Sequence, residues 1–401
     1  MRPSYPLTYQ RFSPSRPFTT ENEAMKLHSI SCFSVDIPAA GGSYVMSHGR
    51  NLSAFPATIV KVTADDGTTG WGEAGTLGGN YLNGFPGSAR ETVKELAPFV
   101  LTCDPMDAGV LVDGMDALLI GHLPGKAAID TAMWDLRGKL LGLPVATLLG
   151  GIKQRELGAF QAVSLTSPQR MVEQALSFVD LGFRRFQLKL GDDPIDDAKR
   201  TRAVASAVAE VSEFMTSDAN RGWTVGQAKR YLQAVRDVDT YVEQPCASMT
   251  ELALVARHSP LPLMMDESGQ TYDDVLTGHR LGITDALNLK ITRVGGLTKA
   301  ARIRDLAEAT GIMIMVDEPQ GADLATGAMA QLAASIDPQR FLGVSYFMGH
   351  HLTMSYQKDP GATGPALTAG KVVLDAAPGL GVSVDEELFG DPSFVLTSTE
   401  L

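Results

Sequence analysis

From about residue 157 onward, short apolar segments alternate with helical stretches at a period of roughly 25 residues, the signature of successive βαβ units around a parallel sheet. Eight such segments are readable: Ala159–Leu165, Arg185–Leu190, Phe214–Ala219, Thr240–Gln244, Leu261–Asp266, Ala286–Ile291, Ile312–Asp317 and Phe341–Tyr346. Eight βα units predict a TIM-type barrel closed on itself. A doubly wound open sheet is the competing architecture, but the glycine-rich phosphate turn expected after its first strand is missing.

The residues that end these strands carry the chemistry. Strand two ends Gln187-Leu188-Lys189, strand three Asp218-Ala219-Asn220, strand four Glu243-Gln244-Pro245, strand five Asp266-Glu267-Ser268, strand six Lys290-Ile291-Thr292 and strand seven Asp317-Glu318. In this barrel the C-terminal face hosts the active site. Strands three, four and five are neighbours, so Asp218, Glu243 and Asp266 are expected to converge on one point. Three oxygen ligands without His or Cys suit Mg²⁺ or Mn²⁺. Strands two and six lie opposite each other in a ring of eight, which sets Lys189 and Lys290 across the mouth with the metal on the arc between them. Taken singly, Lys189 reads equally as an ion-pair partner of Asp218, and Lys290 of Asp266.

That arrangement suits removal of a proton next to a carboxylate. Such a proton is very weakly acidic, and a metal on the carboxylate oxygens supplies the missing stabilisation as a Lewis acid. The base must be a free amine. An unperturbed lysine titrates near about 10.4, and a useful base at neutral pH sits ~2–3 units lower, where a metal, burial and an opposing ammonium all push it.

Ahead of the barrel, residues 26–152 read as an α+β domain. Strands are expected at Leu27–Ile37, Ala57–Ala64 and Thr69–Glu73, and helices at Ser88–Leu101, Met106–Ile120 and Lys126–Leu141. Between them Gly75–Gly87 is glycine-rich and carries Tyr81 and Phe85, which marks a candidate lid. The barrel is expected to occupy 153–350, and residues 351–401 to pack back on the N-terminal domain. Residues 1–25 hold arginines, Pro and Ser but no acid before Glu21. They read as a poorly ordered upstream extension, with a weak transit peptide as the competing view.

Composition narrows the partners. A formal net charge of −12 argues against a nucleic-acid partner. No apolar run approaches the ~18 residues of a membrane span. Three cysteines, Cys32, Cys103 and Cys246, lie far apart with no CxxC pair, as expected of reduced thiols in a cytoplasmic protein.

The segments FQLKLG, SDANRGW, YVEQPC, MMDESG and LNLKITRVGGLTKA, with GWGEAG and GHLPGKAAIDTAMWDLRGKLLGLPVATLLGG upstream, resemble the muconate lactonizing enzyme subgroup of the enolase superfamily. The resemblance covers nearly everything from about residue 26 onward. It implies an α+β capping domain on a (β/α)7β barrel, Mg²⁺ on Asp218, Glu243 and Asp266, and acid/base roles for Lys189 and Lys290. Such capped barrels often associate, so a homo-oligomer is expected. Much of the subgroup has Lys-x-Lys on strand two; here Gln187 holds the first position. In this the chain is similar to cis-3-hydroxy-L-proline dehydratases and hydroxyproline betaine 2-epimerases. Those relatives carry a Trp after strand seven that stacks on a cationic nitrogen; here Gln320 stands in its place, so a quaternary ammonium substrate is disfavoured.

A small carboxylate substrate of proline type is therefore expected, either dehydrated or epimerised. Candidate substrate contacts are Gln187, Asn220, Glu267, Asp317, Glu318 and Gln320 at the strand ends, with Tyr81, His48 and Arg50 from the capping loops. Arg50 would receive a second carboxylate. Asp323 or Glu318 would meet an amine, although Asp323 also reads as a helix N-cap. A cycloisomerase or an N-acyl amino acid or dipeptide epimerase is the nearest alternative. A barrel that binds metal without catalysis is the alternative from another class. A sugar-acid dehydratase would want a strand-end His, and strands three to seven offer none.

Overall fold

The computed structural model describes residues 25–42, 44–46, 50–79, 81–348, 351–357, 359 and 363–401, with only the backbone of Gly41, Tyr44–Met46 and Arg50. The extension 1–24 and His48 lie outside the described residues.

Strands β1 (Leu27–Pro38), β2 (Tyr44–Met46), β3 (Arg50–Leu52), β4 (Ala54–Ala64) and β5 (Thr69–Gly75) open the chain, followed by helices α1 (Pro86–Val100), α2 (Ala108–Leu118), α3 (Leu123–Leu141) and α4 (Val145–Leu148). β1, β4 and β5 pair antiparallel. Their alternation puts Ile30, Cys32, Val60 and Val62 in one core with Val93, Leu96 and Ala97 of α1 and Ile129, Met133 and Leu136 of α3. α3 is buried nearly all round, because it lies between this sheet and the barrel. The short β2–β3 hairpin was not foreseen.

The barrel strands are β6 (Glu156–Val163), β7 (Arg185–Lys189), β8 (Phe214–Asp218), β9 (Tyr241–Glu243), β10 (Leu263–Met265), β11 (Ala286–Lys290), β12 (Met313–Asp317) and β13 (Phe341–Ser345). All neighbours are parallel, and β13 pairs with β6 to close the ring. The intervening helices are α5 (Pro168–Asp180), α6 (Pro194–Val208), α7 (Val225–Ala234), α8 (Met249–Ala256), α9 (Tyr272–Leu281), the short α10 (Ile291–Val294), α11 (Leu297–Thr310) and α12 (Asp323–Ala334). No α-helix follows β13 among the described residues, so the expected (β/α)7β barrel with an α+β cap is the fold.

Side-chain parity builds the lumen in layers. Phe160, Phe214, Met264, Ala286, Met315 and Leu342 form an apolar layer low in the barrel. Two residues further along the same strands come Thr216, Asp266, Asn288 and Asp317, and two further again on β8 and β11 come Asp218 and Lys290. Phe186, Leu188, Leu287 and Leu289 alternate outward into the main core.

The last segment does more than return to the cap. Strands β14 (Ala366–Thr368) and β15 (Lys371–Val373) form a hairpin that adds antiparallel to β6. Only then does β16 (Phe394–Thr397) join β1 as an edge strand of the capping sheet.

Candidate active site

Six strand ends bring Lys189, Asp218, Glu243, Asp266, Lys290 and Asp317 to one face of the barrel, all buried. Register fixes neighbours: Lys189 lies beside Asp218, Asp218 beside Glu243, and Lys290 beside Asp317. Lys189 Nζ donates to Asp218 Oδ2 at 2.7 Å. Lys290 Nζ donates to Asp317 Oδ2 and stands 3.6 Å from Asp266 Oδ1.

Glu243 is held on both oxygens. Gln187 Nε2 donates to Oε2 at 3.0 Å, and Asn288 Nδ2 to Oε1 at 2.6 Å. Asp266 accepts from Arg293 through Oδ1 and from Tyr81 Oη, 2.9 Å from Oδ2. Gln244 braces the next strand end, its Oε1 accepting from the amides of Asp266 and Ser268 at 3.0 and 3.1 Å. Asn220, Arg221 and Gln244, directly after strands three and four, have φ of +45°, +66° and +34°. Such left-handed non-glycine residues cluster where a site dictates the backbone.

Electrostatics follow burial. It pushes the Glu243 carboxyl well above its usual range, and the charges of Asp218 and Asp266 push further. Burial also raises Asp218, with Lys189 opposing and Asp266 adding to the rise. Asp266 behaves oppositely: burial works upward, but Arg293 and Lys290 outweigh it and hold the carboxyl at about 2. Burial works to lower Lys290, yet Asp266 and Asp317 keep its ammonium above the ordinary value. Glu267 and Glu318 are each pushed up to about 8, first by burial; Asp266 adds to the former and Asp317 to the latter.

The expected convergence of Asp218, Glu243 and Asp266 on one point is not drawn in this arrangement. Among the described residues no group of three or more His, Cys, Asp or Glu side chains is arranged to hold a metal ion. The reason is that each acid is engaged by a cationic or amide partner, Asp266 most of all. The donor chemistry nevertheless fits a hard dication. Three buried carboxylates stand close enough to raise one another's proton affinity, and a cation would relieve that repulsion.

A small pocket opens between the lysines. It is lined by Gln187, Lys189, Lys290, Asp317 and Glu318, by Leu77 and Tyr81 of the capping loop, and by Gln161, Phe347 and His351 on the far side. Tyr81 therefore stands where a capping-loop contact was expected, and Asn83 Nδ2 ties the same loop to Gln270 Oε1 at 3.1 Å. Asn220 and Glu267 sit beside the acids, with Asn220 Nδ2 3.3 Å from Glu267 Oε1. Glu267 lines a neighbouring pocket with Arg221 and Arg293. Arg50 lies on β3.

Gln320 and Asp323 are engaged by other parts of the protein. Gln320 does not line the pocket between the lysines; its Nε2 donates to Pro56 O of β4 at 2.9 Å. A Cβ on Gly75 would lie 2.3 Å from Gln320 Cγ, so this glycine admits the side chain to the interface between cap and barrel. Asp323 is not the N-cap of α12, a place held by Ala322. It is the first residue of α12, and it accepts from Tyr356 N at 2.6 Å, Gln357 Nε2 at 2.9 Å and Ser355 Oγ at 3.1 Å. Missed altogether were Arg293, inside the LNLKITRVGG run, and the pair Gln161 Oε1···His351 Nε2 at 3.0 Å. Arg293 was findable: it lies three residues beyond a strand-end lysine, on the single turn of helix that follows.

A capped (β/α)7β barrel with acids and paired lysines at its C-terminal mouth defines an enzyme of the enolase superfamily. The chain belongs to the mandelate racemase/muconate lactonizing enzyme family. Residues 41–150 match the N-terminal domain model of that family, and residues 170–388 match the enolase C-terminal domain-like model. It is 36% identical over 368 residues to cis-3-hydroxy-L-proline dehydratase of Roseibium aggregatum, covering 92% of this chain and 99% of that one. It is 28% identical to N-succinyl-L-Arg/Lys racemase of Bacillus cereus, over 90% of this chain and 96% of that one. An enolase superfamily member from Roseovarius nubinhibens, solved in complex with magnesium, superposes with a TM-score of 0.87 at 31% identity, covering 93% of this chain and all of that one. Among the described residues no helix is long and apolar enough to cross a membrane.

Proposed function

We propose that this enzyme removes the α-proton of a small amino-acid carboxylate, and that its substrate is a proline derivative such as cis-3-hydroxy-L-proline, which it dehydrates or epimerises at C2. The observation that carries this is that Lys189 and Lys290, four strands apart in a ring of eight, line one small buried pocket together with Gln187. The 36% identical dehydratase supports the substrate class.

Asp218, Glu243 and Asp266 would hold Mg²⁺, which when bound supplies Lewis-acid stabilisation to the substrate carboxylate. One lysine amine takes the α-proton. In a cis-3-hydroxyproline the hydroxyl lies on the ring face opposite that proton. The lysine across the pocket, as its ammonium, then protonates the hydroxyl as the C3–O bond breaks and water leaves. In an epimerisation the same ammonium returns a proton to C2 from the other face. Gln187 and Asn288 hold Glu243, and Tyr81 and Arg293 hold Asp266, so the acids are oriented before substrate arrives. Glu318, its Oε2 buried without a hydrogen-bond partner in the pocket wall, offers an acceptor to the ring ammonium.

The test is purified enzyme with Mg²⁺ in D₂O and a panel of prolines, hydroxyprolines and N-acyl amino acids. Deuterium at C2, or loss of water, is expected with the prolines. Exchange confined to N-acyl amino acids would move the assignment to a racemase of that class, and no exchange with any carboxylate would end it.

A further inference from the structure

Two buried acids of the capping domain end on barrel helices rather than on each other. Glu73, on β5, accepts from the amide of Ala322 at 2.9 and 3.2 Å with its two oxygens, and from Ala325 N at 3.0 Å with Oε2. These are N-terminal donors of α12, which the helix itself leaves without partners. Tyr356 Oη donates to Glu73 Oε1 at 2.8 Å and fixes the carboxylate. Asp130, on α3, does the same for α11: Oδ2 accepts from Thr298 N at 2.8 Å and Oδ1 from Thr298 Oγ1 at 2.6 Å. Gly296, at φ +122°, makes the approach possible, since a Cβ there would lie 2.4 Å from Asp130 Oδ2.

These two helices follow the strands that end in Lys290 and Asp317. Seven residues separate Lys290 from Thr298, and four separate Asp317 from Ala322, so each capped terminus is tied by a short connection to one member of the Lys290–Asp317 pair. β5 also runs directly into the loop that carries Leu77 and Tyr81. Lys189, on the other side of the pocket, lies on a strand that neither acid touches in this way.

We propose that Glu73 and Asp130 are positioning residues: by capping α11 and α12 from the capping domain, they fix the mouth ends of strands six and seven and so place Lys290 against Asp317. The inference rests on the acid–base reading of the two lysines.

The test uses full-length Glu73→Gln and Asp130→Asn. Each exchanges a capping oxygen for an amide group that faces N–H donors. Asp135→Asn is the control, because buried Asp135 accepts from the amides of Trp71 and Leu380 and touches neither helix terminus. Exchange of the C2 proton is followed for both enantiomers of each proline that the wild type accepts, with Lys189→Ala and Lys290→Ala showing which lysine serves which enantiomer. Exchange through Lys290 is expected to fall about tenfold or more, since a misplacement on the order of 1 Å costs about 100-fold, while exchange through Lys189 changes less than about threefold. Equal slowing of both enantiomers, or none, overturns the proposal.

Amide hydrogen exchange supplies a second readout that needs no turnover. Loss of protection should extend beyond the uncapped terminus, 322–326 in Glu73→Gln and 297–300 in Asp130→Asn, to 286–294 and 313–318, but not in Asp135→Asn. Loss confined to the helix termini, or shared by the control, overturns the proposal as well. Should the wild type exchange no proline, the functional assignment falls, and amide exchange alone decides the positioning role.

Discussion

Gln187 on the second barrel strand and Asn288 on the sixth hold the same carboxylate from opposite sides, Nε2 of the one on Glu243 Oε2 at 3.0 Å and Nδ2 of the other on Oε1 at 2.6 Å. Each amide stands two residues before a lysine, so the strand pleat that aims Lys189 and Lys290 into the lumen aims their amides there too. Glu243 thus has its orientation set by the strands that carry the two amines. Gln187→Leu and Asn288→Leu should each weaken Mg²⁺ binding about 10–100-fold, the usual cost of losing a partner that orients a ligand. Calorimetric titration measures this, and an unchanged affinity in both variants would remove the amides from the metal site.

The lysines should separate by face. Lys189→Ala and Lys290→Ala are each expected to lower turnover by about 10²–10⁴, the range for loss of a positioned acid or base. Each should abolish C2 proton exchange for one enantiomer and spare the other. If either variant keeps wild-type exchange for both enantiomers, that lysine is no acid or base here.

Arg293 is the nearer of two cations paired with Asp266 inside the protein, Lys290 being the other. Arg293→Met leaves a buried carboxylate short of a cation and should cost about 3–5 kcal/mol. The pH dependence has a definite sign. Asp266 is held at about 2, below its usual value of 3.8, so its pairing contributes stability above pH 4 that is lost as pH falls towards 2. The gap between wild type and variant in urea unfolding with chelator present should therefore be full above pH 4 and shrink below it. A gap independent of pH would refute the pairing.

Glu73 has the opposite sign. Burial raises its carboxyl to about 7, against the three hydrogen bonds that favour the ionised form. The folded chain then keeps a proton that the unfolded chain has released above pH 4.5. Stability accordingly declines by about 3 kcal/mol as pH rises from 4.5 to 7 and is level beyond. Glu73→Gln cannot titrate and should show a flatter profile over that window; parallel profiles would mean that Glu73 is not the group responsible.

The sequence by itself determined the barrel, the cap and which side chains reach the mouth. Strand identity is a local property: a short apolar run with one side chain in two facing inward predicts Lys189, Asp218, Glu243, Asp266, Lys290 and Asp317 at lumen positions without knowledge of any partner. Only tertiary structure decided whom those groups meet. Tyr81 reaches Asp266 across 185 positions of chain, and Glu73 reaches Ala322 across 249. Gln320 and Asp323 were legible as polar residues beyond strand seven, but not as anchors to Pro56 and to the 355–357 turn, because a buried polar group takes whichever donor or acceptor the packed domains bring within 3 Å. For Gln320 that choice belongs to the docking of cap on barrel, and for Asp323 to the path of the segment that follows β13; no local pattern encodes either.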